Sequence, residues 1–416
     1  MKPSFPPSRD AASPGAAASA PTATTAPAVG LPLLALGFRP FYLLAGAYAA
    51  LAVPLWIAVH GGALPMIGAL AGSVWHAHEM IFGYAFAVIA GFLFTAVRNW
   101  TNQPTPSGGS LALVCALWLA ARVCVWSPWV ELAAAFDLLF ALAVAIGIGR
   151  PMIASANRRN YFFIGLVVLL GLAGAALLIG AGGDSAPGPA VSTLGLDLVG
   201  LIIAIIAGRV VPMFTNNAVL GAGATRVEAL ERSALGVLIV LLVVDGWAAL
   251  LPSSGVPAHV AGVVALLGAG VHALRLARWR PARTRALPIL WILHVSYAWL
   301  VIHLALRGAA AFDLFPANLA THALTIGAIG GMTLGMMTRT ARGHSGRPLV
   351  AGRTELAAYL LIQLAALVRV FLPLALPAAY STSLTLSALL WSCAFALFTW
   401  RFWPILSRPR VDGRPG

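Results

Sequence analysis

Charge is what this chain has least of. Only 9% of its 416 residues are Asp, Glu, Lys or Arg, against about 25% in an ordinary soluble domain. With 60% of the residues hydrophobic, a water-soluble fold could not cover the apolar surface, and the chain reads as an integral membrane protein. Cysteine is scarce as well: Cys115, Cys124 and Cys393 fall in or beside apolar segments and form no CxxC or other close pair. That excludes a disulfide framework and a cysteine zinc site. The net charge of +14 arises from Arg in loops between apolar runs. No basic block with interleaved aromatics is present, so the charge does not indicate nucleic acid. Residues 1–30, rich in Pro, Ala, Ser and Thr, lack the apolar core of roughly 7–15 residues that a signal peptide needs. A disordered cytoplasmic tail is expected there.

Long apolar runs, in contrast, follow one another along the chain. A bilayer core about 30 Å thick takes about 20 helical residues to cross. Spans are expected near 40–59, 75–97, 110–127, 130–149, 160–180, 195–214, 234–251, 257–277, 287–306, 318–338, 355–373 and 383–402. The expected fold is therefore all-α, a polytopic bundle of about twelve transmembrane helices in one membrane domain, 31–406, with a short cytoplasmic tail at 407–416. Sorting the basic residues by alternate loops puts all but Arg307 of the loop arginines on one side. By the positive-inside rule both termini are then cytoplasmic, as the even span count also requires. The glycine-dense "GAIGGMTLG" at 327–335 makes span ten a candidate for close packing at the centre.

Ionisable groups at membrane depth are costly and normally face the bundle interior, so each is a candidate. His76, His78 and Glu79 open span two, His303 closes span nine and His322 opens span ten. The topology gathers all five toward the external side, with His294 about two turns deeper. Imidazoles in a hydrophobic bundle suit haem iron or copper. If already helical, His76 and His78 point about 200° apart and cannot chelate one ion together. Glu79, three residues after His76, shares its face and is placed to orient it through the second ring N–H. Helix capping and interface anchoring account for the same residues without a cofactor. His272, beside Arg275, reads as a residue reaching the cytoplasmic interface. At the cytoplasmic end of span six, "AGRVVPMFTNNA" at 207–218 offers Arg209 either as the partner of freed carbonyls near Pro212 or as a holder of an anion such as a haem propionate. "TRTARGHSGRPL" at 338–349 lacks the spacing of a phosphate loop.

Four stretches taken together resemble the NnrS family of bacterial inner-membrane proteins. They are "GFRPFYLLAGAYA" at 37–49, "WHAHEMIFGYAFAVIAGFLFTAVRNWTN" at 75–102, "GRVVPMFTNNA" at 208–218 and "HALTIGAIGGMTLGMMTRTARGHSGRPL" at 322–349. The chain departs from the family at Arg98, where proline is more usual before "NWT". The resemblance implies haem, of b type, and copper. It also implies association with denitrification and protection against nitric oxide, and it carries these roles onto His76, His78 and His322. No reaction class and no electron donor follow from it. Two alternatives stand beside that reading. A haem–copper oxidase-like enzyme acting on nitric oxide or oxygen would need a proton route, for which Asp137, Asp245 and Glu79 are the few carriers. A secondary transporter would show matched halves, and the histidine motif has no counterpart in the second half.

Overall fold

The computed structural model describes residues 31–65, 68, 70, 72–181, 188–250 and 258–414; the expected tail at 1–30 lies outside them. Among the described residues the chain is helical throughout, with no strand. It opens with α1 (Phe38–His60), then α2 (Gly72–His78), a π-helical segment Glu79–Ala85, and α3 (Phe86–Thr101), which form one continuous rod. The next helices are α4 (Gly108–Cys124), α5 (Val130–Ala154), α6 (Phe162–Ala181) and α7 (Gly188–Ala218). They are followed by α8 (Glu228–Leu250), α9 (Ala258–Arg278) and α10 (Pro288–Ala310). A second broken rod combines α11 (Ala317–His322), a π-helical segment Ala323–Gly330 and α12 (Gly331–His344). The chain ends with α13 (Arg353–Ala375) and α14 (Tyr380–Leu406).

Eleven of these rods are long and apolar enough to cross a membrane. The twelfth expected span, 110–127, is α4, a helix of 17 residues and shorter than the other rods. Local chemistry sets several ends. Asn102 adopts the left-handed conformation (φ 52°) that closes a helix at low cost for Asn. Pro288 opens α10, where its missing N–H is no loss. Glu355 accepts the Gly352 N–H at 3.0 Å to start α13.

Burial sorts the helices into layers. The best-buried windows are in Gly72–Thr101 (83%), Ala317–His344 (78%) and Pro189–Ala218 (72%), whereas α8 is 17% buried. The two broken rods and α7 are thus the centre, and α8 faces outward with Val243 and Leu250 exposed. In a bilayer such apolar surface meets lipid rather than water. The first and last helices close the bundle: α1 packs on α14 and α3, and α13 packs on α14. Small residues permit the inner contacts. A Cβ on Gly327 would overlap the Trp299 indole of α10, so the glycine lets the π segment lie against that ring.

Candidate functional site

Both histidine motifs end where a π-helical turn begins. His78 is followed by Glu79–Ala85, and His322 by Ala323–Gly330. A π turn inserts a residue, releases carbonyls from the regular ladder and is common at functional sites. Trp118 satisfies one of these carbonyls by donating its indole N–H to Gly83 O at 3.0 Å. The two broken rods also meet directly: the Tyr84 hydroxyl lies 2.5 Å from Thr333 Oγ1. Thr333 already donates to Ile329 O, so Tyr84 is the donor.

The first cluster is ionic. His78 Nδ1 lies 2.7 Å from Glu79 Oε1, and its Nε2 lies 3.0 Å from Asp137 Oδ2, off the hydrogen-bonding line. Arg122 from α4 reaches Glu79 Oε1 at 3.1 Å and Asp137 Oδ1 at 2.5 Å. Tyr48 of α1 donates to Glu79 Oε2. All four charged side chains are buried, with His78 and Glu79 fully so. Glu79 thus bonds its neighbour His78 rather than His76, with which it was expected to share a face. His78 Nε2, beside Asp137, makes no hydrogen bond.

The second cluster holds the imidazoles with free nitrogen. His76 stacks on Trp56 of α1, with ring centroids 4.2 Å apart and planes at 25°. Its Nδ1 is buried without a hydrogen-bond partner. His322 donates Nδ1–H to Asn318 O at 2.6 Å, which leaves the Nε2 lone pair free. Asn318 also donates to the Tyr380 hydroxyl at 3.3 Å, and that hydroxyl receives Arg369 Nη2 at 3.2 Å. A line of contacts therefore runs from α11 through the start of α14 to α13.

His303 is built in the same way. Its Nδ1–H donates to Ala320 O at 2.8 Å, so Nε2 is the free nitrogen. It lines a cleft of about 450 Å³ with Thr193, Asp197, Asp245, Arg307 and Thr321. Arg307 ties two helices there, holding Asp197 at 3.0 Å and pairing with Asp245. His76, His303 and His322 thus gather at one end of the bundle.

The remaining expected ligands lie elsewhere. His294 donates Nδ1–H to Leu290 O at 3.1 Å, and its Nε2 is 3.3 Å from Thr215 Oγ1 and 3.4 Å from Trp279 O. These contacts place it between α10 and α7, away from the other histidines. Arg209 sits at the opposite end of the bundle from His76. It donates to Asn160 Oδ1 at 2.7 Å, and its guanidinium lies 5.6 to 5.9 Å from the Phe162, Phe163 and Trp100 rings. Its charge is accommodated by aromatic faces, so it does not serve the histidine end. His272 does not reach the interface either. It is fully buried, 2.6 Å from the Tyr297 hydroxyl and 3.0 Å from Ala234 O. Among the described residues no group of three or more His, Cys, Asp or Glu is arranged to hold a metal ion by itself.

Sequence reasoning passed over Tyr48, Trp56 and Asp197, and gave Arg122 and Arg369 no role. Two of these carried a readable signal, since Arg122 and Arg369 are arginines inside apolar spans. Tyr48 and Trp56 carried none, because only the packing of α1 on the second rod turns them inward.

These features define a polytopic helical membrane protein whose central helices are interrupted at histidine motifs and enclose buried charge. The chain belongs to the NnrS family: the family model described as NnrS protein matches residues 32–410, nearly all of the described chain. Compared with the curated proteins, it matches none.

Proposed function

We propose that this protein binds haem and copper in the bacterial inner membrane and serves the nitric oxide response and denitrification, binding nitric oxide or relieving nitrosative damage. The observation that carries the reading is the state of His76 and His322. His76 keeps a buried ring nitrogen with no hydrogen bond, and His322 spends one nitrogen on a backbone carbonyl and leaves the other open. For His322 that is the arrangement of a metal-ligating histidine, whose second N–H is normally fixed by a carbonyl or carboxylate. The donor set fits: imidazole nitrogen suits iron and copper alike. A cofactor's carboxylates also find a cation nearby in Arg369.

In this reading His76 and His322 are the leading ligands, and His303 is a third imidazole of the same layer. Trp56 holds the plane of the His76 ring, and the Asn318 and Ala320 carbonyls fix the tautomers of His322 and His303. Bound ferrous haem supplies affinity for nitric oxide, a solute that partitions into bilayers. The arginine-rich end of the bundle faces the cytoplasm under the positive-inside rule, which puts the histidine layer on the external side.

The test is a reduced-minus-oxidised optical spectrum of the purified protein, with and without nitric oxide, together with iron and copper analysis. Haem bands that shift with nitric oxide are expected. Protein free of both metals after cofactor-supplemented expression would sink the reading and return the histidines to helix capping.

A further inference from the structure

Among the described residues, Arg369 is a buried cation with no carboxylate partner. It is 3% exposed on α13, and its Nε and Nη1 are buried with no hydrogen-bond partner. Its Nη2 donates only to the neutral Tyr380 hydroxyl, and the guanidinium lies 5.1 Å from the Tyr380 ring centroid. Among the described residues no carboxylate pairs with it. Arg122, Arg275, Arg307 and Arg342 each meet an Asp or Glu in the interior, and Arg339 lies on the Phe214 ring at 3.8 Å; Arg369 differs in having, among the described residues, neither a carboxylate nor any hydrogen-bond partner for two of its buried guanidinium nitrogens. A guanidinium taken out of water normally requires such a partner, and its planar fork matches a carboxylate or oxoanion. The neighbouring contacts are neutral: Asn318, which accepts from His322, donates to the same Tyr380 hydroxyl that Arg369 reaches. Access is short, since Tyr380 is 42% exposed and Asn318 stands at the surface beside it.

We propose that Arg369 is the anchor of an anion site beside Tyr380, Asn318 and His322, taking a carboxylate or a small planar oxoanion through Nε and Nη1. The source of the anion is either a carboxylate of the bound cofactor or a free anion from the external solution. The first source rests on the functional reading above; the second does not.

The experiment uses the full-length protein in detergent, prepared both depleted of and loaded with haem, with formate as the probe and the thermal midpoint as the readout. Depleted wild type is expected to be stabilised saturably by formate. R369Q is expected to bind formate at least about thirtyfold more weakly, the smallest loss expected when one member of a buried charge pair is truncated. R369K keeps the charge, serves if R369Q fails to fold, and is expected to weaken binding without the two-pronged fit. Formate binding that disappears on haem loading assigns the site to a cofactor carboxylate, and binding that persists assigns it to a free anion. No saturable effect on depleted wild type, or equal effects on wild type and R369Q, would overturn the proposal. Formate binding by a protein that takes up neither haem nor copper would instead overturn the functional reading and leave this site standing.

Discussion

Replacing Arg122 by Met tests whether the ionic cluster organises the bundle. Arg122 is the single arginine between Glu79 and Asp137, at 3.1 and 2.5 Å. Its removal leaves two carboxylates in the interior, with His78 as the remaining polar partner of both. At an effective dielectric of about 20, unit charges about 3 Å apart attract by about 5 kcal/mol. Part of that is offset by the cost of dehydrating the arginine, and breaking a buried pair from one side typically costs about 3–5 kcal/mol. The helices joined are α4 and α5 with the rod that carries the WHAHE motif, and Tyr48 draws in α1, so the loss should appear as a lowered midpoint of cooperative unfolding. Thermal unfolding in detergent, followed by fluorescence-detected size exclusion, is the assay. Adding Asp137→Asn to Arg122→Met should recover part of the loss, because it removes one of the stranded charges, so the two substitutions will not add. An unchanged midpoint in Arg122→Met, or strict additivity in the double variant, would refute the idea that these charges depend on one another.

Other outcomes follow from the same geometry. His76→Ala and His322→Ala should each lower haem or copper content by about tenfold or more while the protein still inserts, and His344→Ala should leave both metals unchanged; full retention in the first two would refute the ligand assignment. Gly327→Ala, which drives a methyl group into the Trp299 ring, should destabilise by about 1–3 kcal/mol, and a wild-type midpoint would show that the π segment has room to move. Outside the membrane, hydrogen bonding from Arg410 at 2.6 and 2.9 Å holds the Asp412 carboxyl down to about 2. Because the folded value is depressed, this contribution is complete above the unfolded value of about 3.9 and is lost as pH falls through about 2. The docked tail, with Arg410 on His344 O at 2.9 Å and Val411 N on Ser345 O at 3.2 Å, should therefore stay in place from about pH 5 to about pH 9; a fluorophore placed at Gly413 that reports release within that range would contradict this.

The sequence by itself determined that the chain is a membrane-crossing helical bundle, because hydropathy needs no tertiary information: twenty apolar residues must be helical in lipid to satisfy their own backbone. It likewise placed the histidines near span ends, and span order alone gathered His76, His303 and His322 at one end. What it could not decide was direction around each helix. The expectation that Glu79 would serve His76 rested on their three-residue spacing, whereas in the folded chain that carboxylate bonds His78. The neighbours of His294 and Arg209, namely Thr215, Asn160 and the Phe162–Phe163 pair, come from distant sequence and could not be read from span order. In the sequence Arg369 is only a charge inside an apolar span. That no carboxylate among the described residues meets it, whereas Arg122, Arg275, Arg307 and Arg342 each meet one, is a property of the packed structure, where partners are set by which side chains meet in space rather than by their order along the chain.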